Sequence, residues 1–166
     1  MKRILKEYLP SVIGAIVLAF FLQAFVLFPC VVDGTSMDPN LKNNDFGYSF
    51  KISKLFGINR FDIVVISVDD VKDKMLVKRA IGLPNETIKY ENNKLYVNGE
   101  YVEEPFINNK YTNDFSYTLG DNEYFCLGDN RDVSRDSRYY GPFSIEDIVS
   151  VHVLVVYPLS NFGYNK

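Results

Sequence analysis

Hydrophobic and polar positions divide this chain into two unlike parts. From Tyr8 to Val32 there are 25 consecutive residues without a charge. Within them Ser11–Phe28 reads SVIGAIVLAFFLQAFVLF: 12 of its 18 residues are Val, Ile, Leu or Phe, and Gln23 alone is strongly polar. That length is near the lower limit for a membrane-spanning helix, and Tyr8, Leu9 and Val31–Val32 can extend it. Beyond Pro29 the pattern changes to short β-branched and aromatic runs: Ile63–Ile66, Met75–Val77, Thr87–Tyr90, Lys94–Val97, Glu100–Glu103, Tyr124–Leu127 and Val149–Tyr157. In the last, Val149, Val151, Val153, Val155 and Tyr157 alternate with Ser150, His152, Leu154 and Val156, the period of a strand. Asn98-Gly99 readily takes the positive φ angles of a type I′ turn, so Lys94–Glu103 reads as a hairpin. No long 3.6-period segment follows the apolar run, and Ser144–Asp147 is the one candidate for a turn of helix. The reading is a cytoplasmic start at 1–8, an anchor at 9–29, and one mainly β domain at 30–166 with an insertion at 88–122.

Three readings compete for the apolar run. A buried helix of a soluble protein lacks support, because the run offers no polar face. A cleaved signal peptide fits the basic start, but the run exceeds the usual 7–15 residues and no A-x-A-like site follows. Leu27-Phe28-Pro29-Cys30 resembles a lipoprotein cleavage site only faintly. A retained span fits best: its apolar residues contribute on the order of -5 kcal/mol to insertion, outweighing one Gln. Lys2, Arg3 and Lys6 precede it, which places the N-terminus in the cytoplasm and the domain outside.

Charge adds an exclusion. After residue 10 the chain holds 15 basic and 20 acidic residues, the wrong sign for a nucleic-acid binder. About 135 residues beyond the run suffice for one core. Cys30 and Cys126 fit no metal or disulfide-framework spacing; Cys126 reads as a buried small hydrophobe, and a pairing with Cys30 stays open. The sole histidine, His152, sits inside a β-branched strand and reads as structural. A hydrolase built from this chain therefore looks to a lysine or a carboxylate for its base.

Three segments could carry such chemistry. Gly34-Thr35-Ser36-Met37-Asp38-Pro39 places a serine at an exposed bend, where a turn or capping role is equally natural. Lys78 interrupts an apolar strand in Val77-Lys78-Arg79-Ala80-Ile81-Gly82-Leu83-Pro84, where a solvated strand-end lysine is the plain alternative. Leu127–Arg138 is a polar loop following an apolar strand.

Together, Ser36-Met37-x-Pro39, Asp62-Ile63-Val64-Val65, Lys78-Arg79-x-Ile81-Gly82-Leu83-Pro84 and Gly128-Asp129-Asn130-Arg131-x-x-Ser134-x-Asp136-Ser137-Arg138 closely resemble the type I signal peptidases. These are membrane-anchored serine proteases that remove signal peptides from exported proteins. The resemblance covers essentially the whole chain. One span, and 43 residues between the last two motifs, match the compact Gram-positive-type branch. It implies a folded antiparallel β-sheet protease domain, shared in outline with LexA-type repressors, after one transmembrane helix, and no cofactor.

By that resemblance Ser36 is the nucleophile and Lys78 the general base. The Ser36 N–H is an oxyanion donor, and Ser134 orients the lysine amine. Arg79 with Asp129, and Asp136 with Arg138, are supporting ion pairs. Leu76, Val77, Ile81 and Met37 are the apolar neighbours expected to desolvate Lys78. The substrate, a signal-peptide-bearing preprotein, is expected as an extended strand beside Asp33–Gly34 and Lys74–Val77. Shallow pockets near Val32, Met37, Leu41, Leu76 and Val77 favour small residues. Leu55-Phe56-Gly57-Ile58 reads as an apolar lip toward the bilayer, or as core. Departures from the family pattern are Gly34, which leaves no hydroxyl two residues before the nucleophile, Asn40 for Thr, Phe61 for Gly, and Asn85-Glu86 for Gly-Asp. Three rivals remain: an inactive homologue, a self-cleaving repressor, and a tethered structural domain.

Overall fold

The computed structural model describes residues 2–68, 75–107 and 112–165. Lys74, expected beside the substrate, and 108–111 of the inserted segment lie outside them. Helix α1 spans Lys2–Phe25. Its stretch Tyr8–Phe25 has a mean hydropathy of 1.9 and none of it is buried in the protein, which removes the reading as a core helix. One residue later strand β1 begins, Leu27–Val31. The uncharged stretch is thus shared between helix and sheet, and the helix ends four residues short of the expected 29. Lys51 Nζ donates to the Ala24 carbonyl at 3.0 Å, placing a cation on the orphan carbonyls of the helix end.

The remaining elements are β2 (Phe46–Phe50), a 3-10 turn (Ile52–Phe56), β3 (Ile63–Ser67), β4 (Met75–Gly82), β5 (Thr87–Glu91), β6 (Lys94–Val97), β7 (Glu100–Val102), β8 (Phe115–Thr118) and β9 (Glu123–Leu127). After these come a one-turn helix α2 (Ser137–Tyr140), β10 (Phe143–Ser144), β11 (Ile148–Tyr157), a second 3-10 turn (Leu159–Asn161) and β12 (Gly163–Asn165). The pairings are antiparallel. A large sheet runs β1-β2-β11-β3-β4-β9-β10, with β12 against β11, and a small sheet runs β7-β6-β5-β8. This is a mainly β, antiparallel fold behind one apolar N-terminal helix.

Turn chemistry sets the small sheet. Asn98 and Gly99 have φ of 51° and 87°, and Asn92 and Asn93 have 51° and 59°, so two tight turns join β5, β6 and β7. Beneath them Ile81, Ile88, Tyr90, Leu95, Leu119, Phe125 and Leu127 form one core. A second core, around Val64, Ile66, Cys126, Ile148 and Val151, includes Ile58. A third gathers Cys30, Val32, Met37, Leu41, Ile63, Val153 and Val155.

Two local expectations change. The helical turn lies at Ser137–Tyr140, where the Asp136 side chain accepts from the Arg138 N–H and Gly141, φ 82°, ends it. Ser144–Asp147 is instead a turn closed by the Asp147 N–H on the Ser144 carbonyl. The alternation of the last strand also breaks: His152 has φ 62° and forms a bulge between Val151 and Val153. Ser150 and Val151 are consequently both fully buried, and Val149 is not.

Candidate active site

The segment after β1 turns sharply. Gly34, at φ 90°, donates to Asn43 Oδ1 at 2.8 Å, and the Asp38 N–H bonds the Thr35 carbonyl. Met37, fully buried, pins the turn to the third core and leaves Ser36 half-buried beside it. Lys78 comes from the middle of β4, opposite Val64 of β3. It is 3% exposed, and its Nζ donates to Ser36 Oγ at 2.7 Å. The thiol of Cys126, at the end of β9, is pushed well above its usual range by burial and by Asp136, with the Lys78 charge opposing. A lysine taken out of water here loses the solvation that favours its ammonium form.

Ser36 and Lys78 open onto a cleft of about 520 Å³. Of the residues expected to meet substrate, Val32, Asp33, Gly34, Met37, Leu76 and Val77 line this cleft, and Leu41 does not, being buried in the third core. Ile81, expected beside the lysine, belongs to the core under the small sheet. The cleft also takes in Phe28, Cys30, Val65 and Met75 from the strands, and Val133 and Arg135 from the polar loop. Reading the strands from Ile63 and Met75 onward could have found Val65, since it pairs Val77. Cys30 stands directly after the expected span, at its edge; its thiol is pushed up to about 11 by burial. It is not joined to Cys126, and both cysteines are free. His152 lies off the cleft, with Nε2 3.0 Å from Asp62 Oδ1.

The loop after β9 is held from both sides. The Asn130 N–H and Nδ2 bond the carbonyls of Ser36 and Thr35 at 3.0 and 3.2 Å. The Gly128 N–H bonds Asp136 Oδ2, and Asp136 in turn receives Arg138 Nε at 2.9 Å. Ser134 Oγ is buried and makes no hydrogen bond among the described residues; it sits over Gly128, next to the Ser36 carbonyl. Arg131 is fully buried, with hydrogen bonds of 2.5 Å to both Glu104 Oε1 and the Tyr90 hydroxyl. Burial works against its charge, but Tyr90 and Glu104 outweigh that and hold its pKa above the usual value. The arrangement ties the loop to the small sheet. Arg131 stands in the last motif, but only the fold reveals Glu104 as its partner.

Arg79 grips Asp129 with two hydrogen bonds, at 2.8 and 2.7 Å, and gives a third to the Phe61 carbonyl at 2.7 Å. The unusual residues gather here. Asn40 Nδ2 donates to Asp129 Oδ2 and to the Phe106 carbonyl, both at 2.8 Å. Phe61, at φ 74°, sets its ring edge-on to Phe106, whose face carries the Arg79 guanidinium at 4.2 Å. Glu86 likewise is used: it receives both Arg60 nitrogens and the Leu83 N–H.

Such a site, a hydroxyl hydrogen-bonded to a buried amine beside an open apolar cleft, suits acyl transfer. Comparison with known proteins agrees in kind. Residues 5–157 match the family model described as signal peptidase, peptidase S26. The chain is 38% identical over 173 residues to signal peptidase I S of Bacillus subtilis (strain 168), covering 96% of this chain and 92% of that one. It is 33% identical over 190 residues to signal peptidase IB of Staphylococcus aureus (strain MRSA252), covering 99% and 96%. The crystal structure of a signal peptidase I from Enterococcus faecalis V583 aligns with a TM-score of 0.52 at 34% identity, over 56% of this chain and 94% of that one. The chain belongs to the signal peptidase family, peptidase S26.

Proposed function

We propose that this protein is a membrane-anchored serine endopeptidase that cleaves signal peptides from exported preproteins, with Ser36 as nucleophile and Lys78 as general base. The 2.7 Å contact between Lys78 Nζ and Ser36 Oγ, at an amine only 3% exposed, carries the reading. A free lysine has a pKa of about 10.4 and is protonated at pH 7. Burial disfavours the charged ammonium and so raises the share of neutral amine. The neutral amine takes the Ser36 proton as Oγ attacks the carbonyl before the cleaved bond. It then returns that proton to the leaving amine, and water, activated the same way, releases the acyl group. The Ser36 N–H is the proposed donor to the oxyanion, and the unpaired Ser134 hydroxyl the proposed partner of the amine once substrate closes the site.

Substrate pairs as an extended strand with 33–34 and 75–77, its small side chains seated against Val32, Met37, Leu76 and Val77. The apolar helix α1 confines enzyme and signal peptide to one bilayer and so raises their effective concentration. Its basic flank supports a cytoplasmic N-terminus and a catalytic domain on the outer side. The test is cleavage of a preprotein by the purified full chain in detergent. Cleavage at the signal-peptide boundary is expected, with Ser36→Ala and Lys78→Ala each reduced by about a thousandfold or more. Normal cleavage by either variant would sink the pair.

A further inference from the structure

The loop that closes the cleft carries three arginines, and two are committed. Arg131 is buried against Glu104 and Tyr90, and Arg138 is paired with Asp136. Arg135 is exposed, lines the cleft, and makes no hydrogen bond or ion pair among the described residues; its guanidinium lies 5.6 Å from the centre of the Tyr139 ring. Tyr139 is itself 70% exposed, so the stacked pair forms a rim rather than part of a core. Resting on an aromatic face holds a guanidinium in one region without using its hydrogen-bond donors. Those donors remain available to a group that enters the cleft.

The cleft has two unlike walls. Phe28, Cys30, Val32, Val65, Leu76 and Val77 form an apolar strand wall, edged by the carboxylate of Asp33. Val133 and Arg135 form the loop wall. An extended chain paired with the strands places the residues before the cleaved bond on the strand wall, where Asp33 repels acidic side chains. Residues that follow the bond and run toward Val133 and Arg135 meet the loop wall. We infer that Arg135 is a specificity-determining residue that favours an acidic side chain at the second position after the cleaved bond. This rests on the proposed peptidase reading and adds a charge preference to it.

The experiment uses the purified full chain in detergent and three preprotein-derived peptides, identical except for Glu, Gln or Lys at the second position after the cleavage site. Ratios of kcat/KM are taken within each variant, so any general loss of rate cancels. Wild type should prefer Glu over Gln over Lys by about twofold to fivefold per step, the size expected of an exposed charge pair. Arg135→Gln should flatten the series and Arg135→Glu reverse it. The wild-type preference should shrink at 1 M salt, where the screening length is about 3 Å. An unchanged order in Arg135→Glu, equal wild-type rates on all three peptides, or a preference indifferent to salt would each overturn the inference while leaving the peptidase reading standing. If wild type cleaved none of the peptides, no better than Ser36→Ala, the peptidase reading would fall and this inference with it.

Discussion

At Gly128 the backbone of Ser36 limits what the chain can tolerate. A Cβ there would stand 2.2 Å from Ser134 Oγ and 2.5 Å from the Ser36 carbonyl oxygen. Gly128→Ala should therefore lower cleavage by about tenfold or more, through displacement of the Ser36 turn; unaltered kcat/KM would refute it. Asn40 reaches two acceptors, so Asn40→Ala should cost about 1–2 kcal/mol in chemical denaturation. Glu86 gives a pH signature. Burial pushes its carboxyl up, but the Arg60 hydrogen bond, the Leu83 N–H and the Arg60 charge outweigh this and hold its pKa below the usual value. Its contribution to stability is present above the unfolded carboxylate range and is lost as pH falls through the lower folded value. Glu86→Gln should accordingly lose stability at neutral pH and lose less on acidification than the parent, as measured by melting temperature. At this scale the sequence was most legible in its motifs, since Ser36 and Lys78, singled out in separate segments, stand 2.7 Å apart. It was least so at Asn40, Phe61 and Phe106, which meet only because the chain between them folds back.

Among the elements, the hairpin at Lys94–Glu103 was the easiest to read, since the two central positions of its tight turn need positive φ and Asn98-Gly99 supplies it. Strand β1 was the hardest. Leu27–Val31 continues the apolar run of the helix without a polar break, and Leu, Phe and Val suit both states. β2 reads FGYSF, with Gly47 where alternation needs a side chain. The structure explains that glycine: a Cβ would lie 2.2 Å from the Leu154 carbonyl oxygen of β11. Gly47→Ala should thus separate the central pairing and cut stability by several kcal/mol; a denaturation midpoint near that of the parent would contradict this. The bulge at His152 was equally hidden, because one extra residue leaves composition unchanged while moving every later side chain to the other face.

Over the whole molecule, the small sheet and the catalytic loop are joined by a buried charge. Removing one partner by Glu104→Ala leaves the Arg131 guanidinium buried and uncompensated, with an expected cost of about 3–5 kcal/mol. Cleavage should fall as well, because Arg131 Nε also holds the Gly128 carbonyl; full activity with full stability would show that the tie is dispensable. The long-range pairing could not be read from spacing, since Glu104 lies in an unremarkable loop. Leu55 and Phe56 are 81% and 83% exposed near the end of α1, whereas Ile58 is buried in the core, so only the first two can form the apolar lip. Phe56→Ser should weaken cleavage of a membrane-embedded preprotein more than that of a short soluble peptide.

A single residue, Val26, separates helix α1 from strand β1, and Lys51 fastens the helix end to the domain. The apolar helix therefore passes into the sheet through one connecting residue, with a hydrogen bond across the junction. With 11 residues from Phe25 to Ser36, five of them in β1, Ser36 can stand no more than about 40 Å from the end of the helix. A peptidase carried this way should cut bonds near one height above the lipid, and preproteins whose cleavage site is moved outward by inserted spacer residues should be cleaved more slowly.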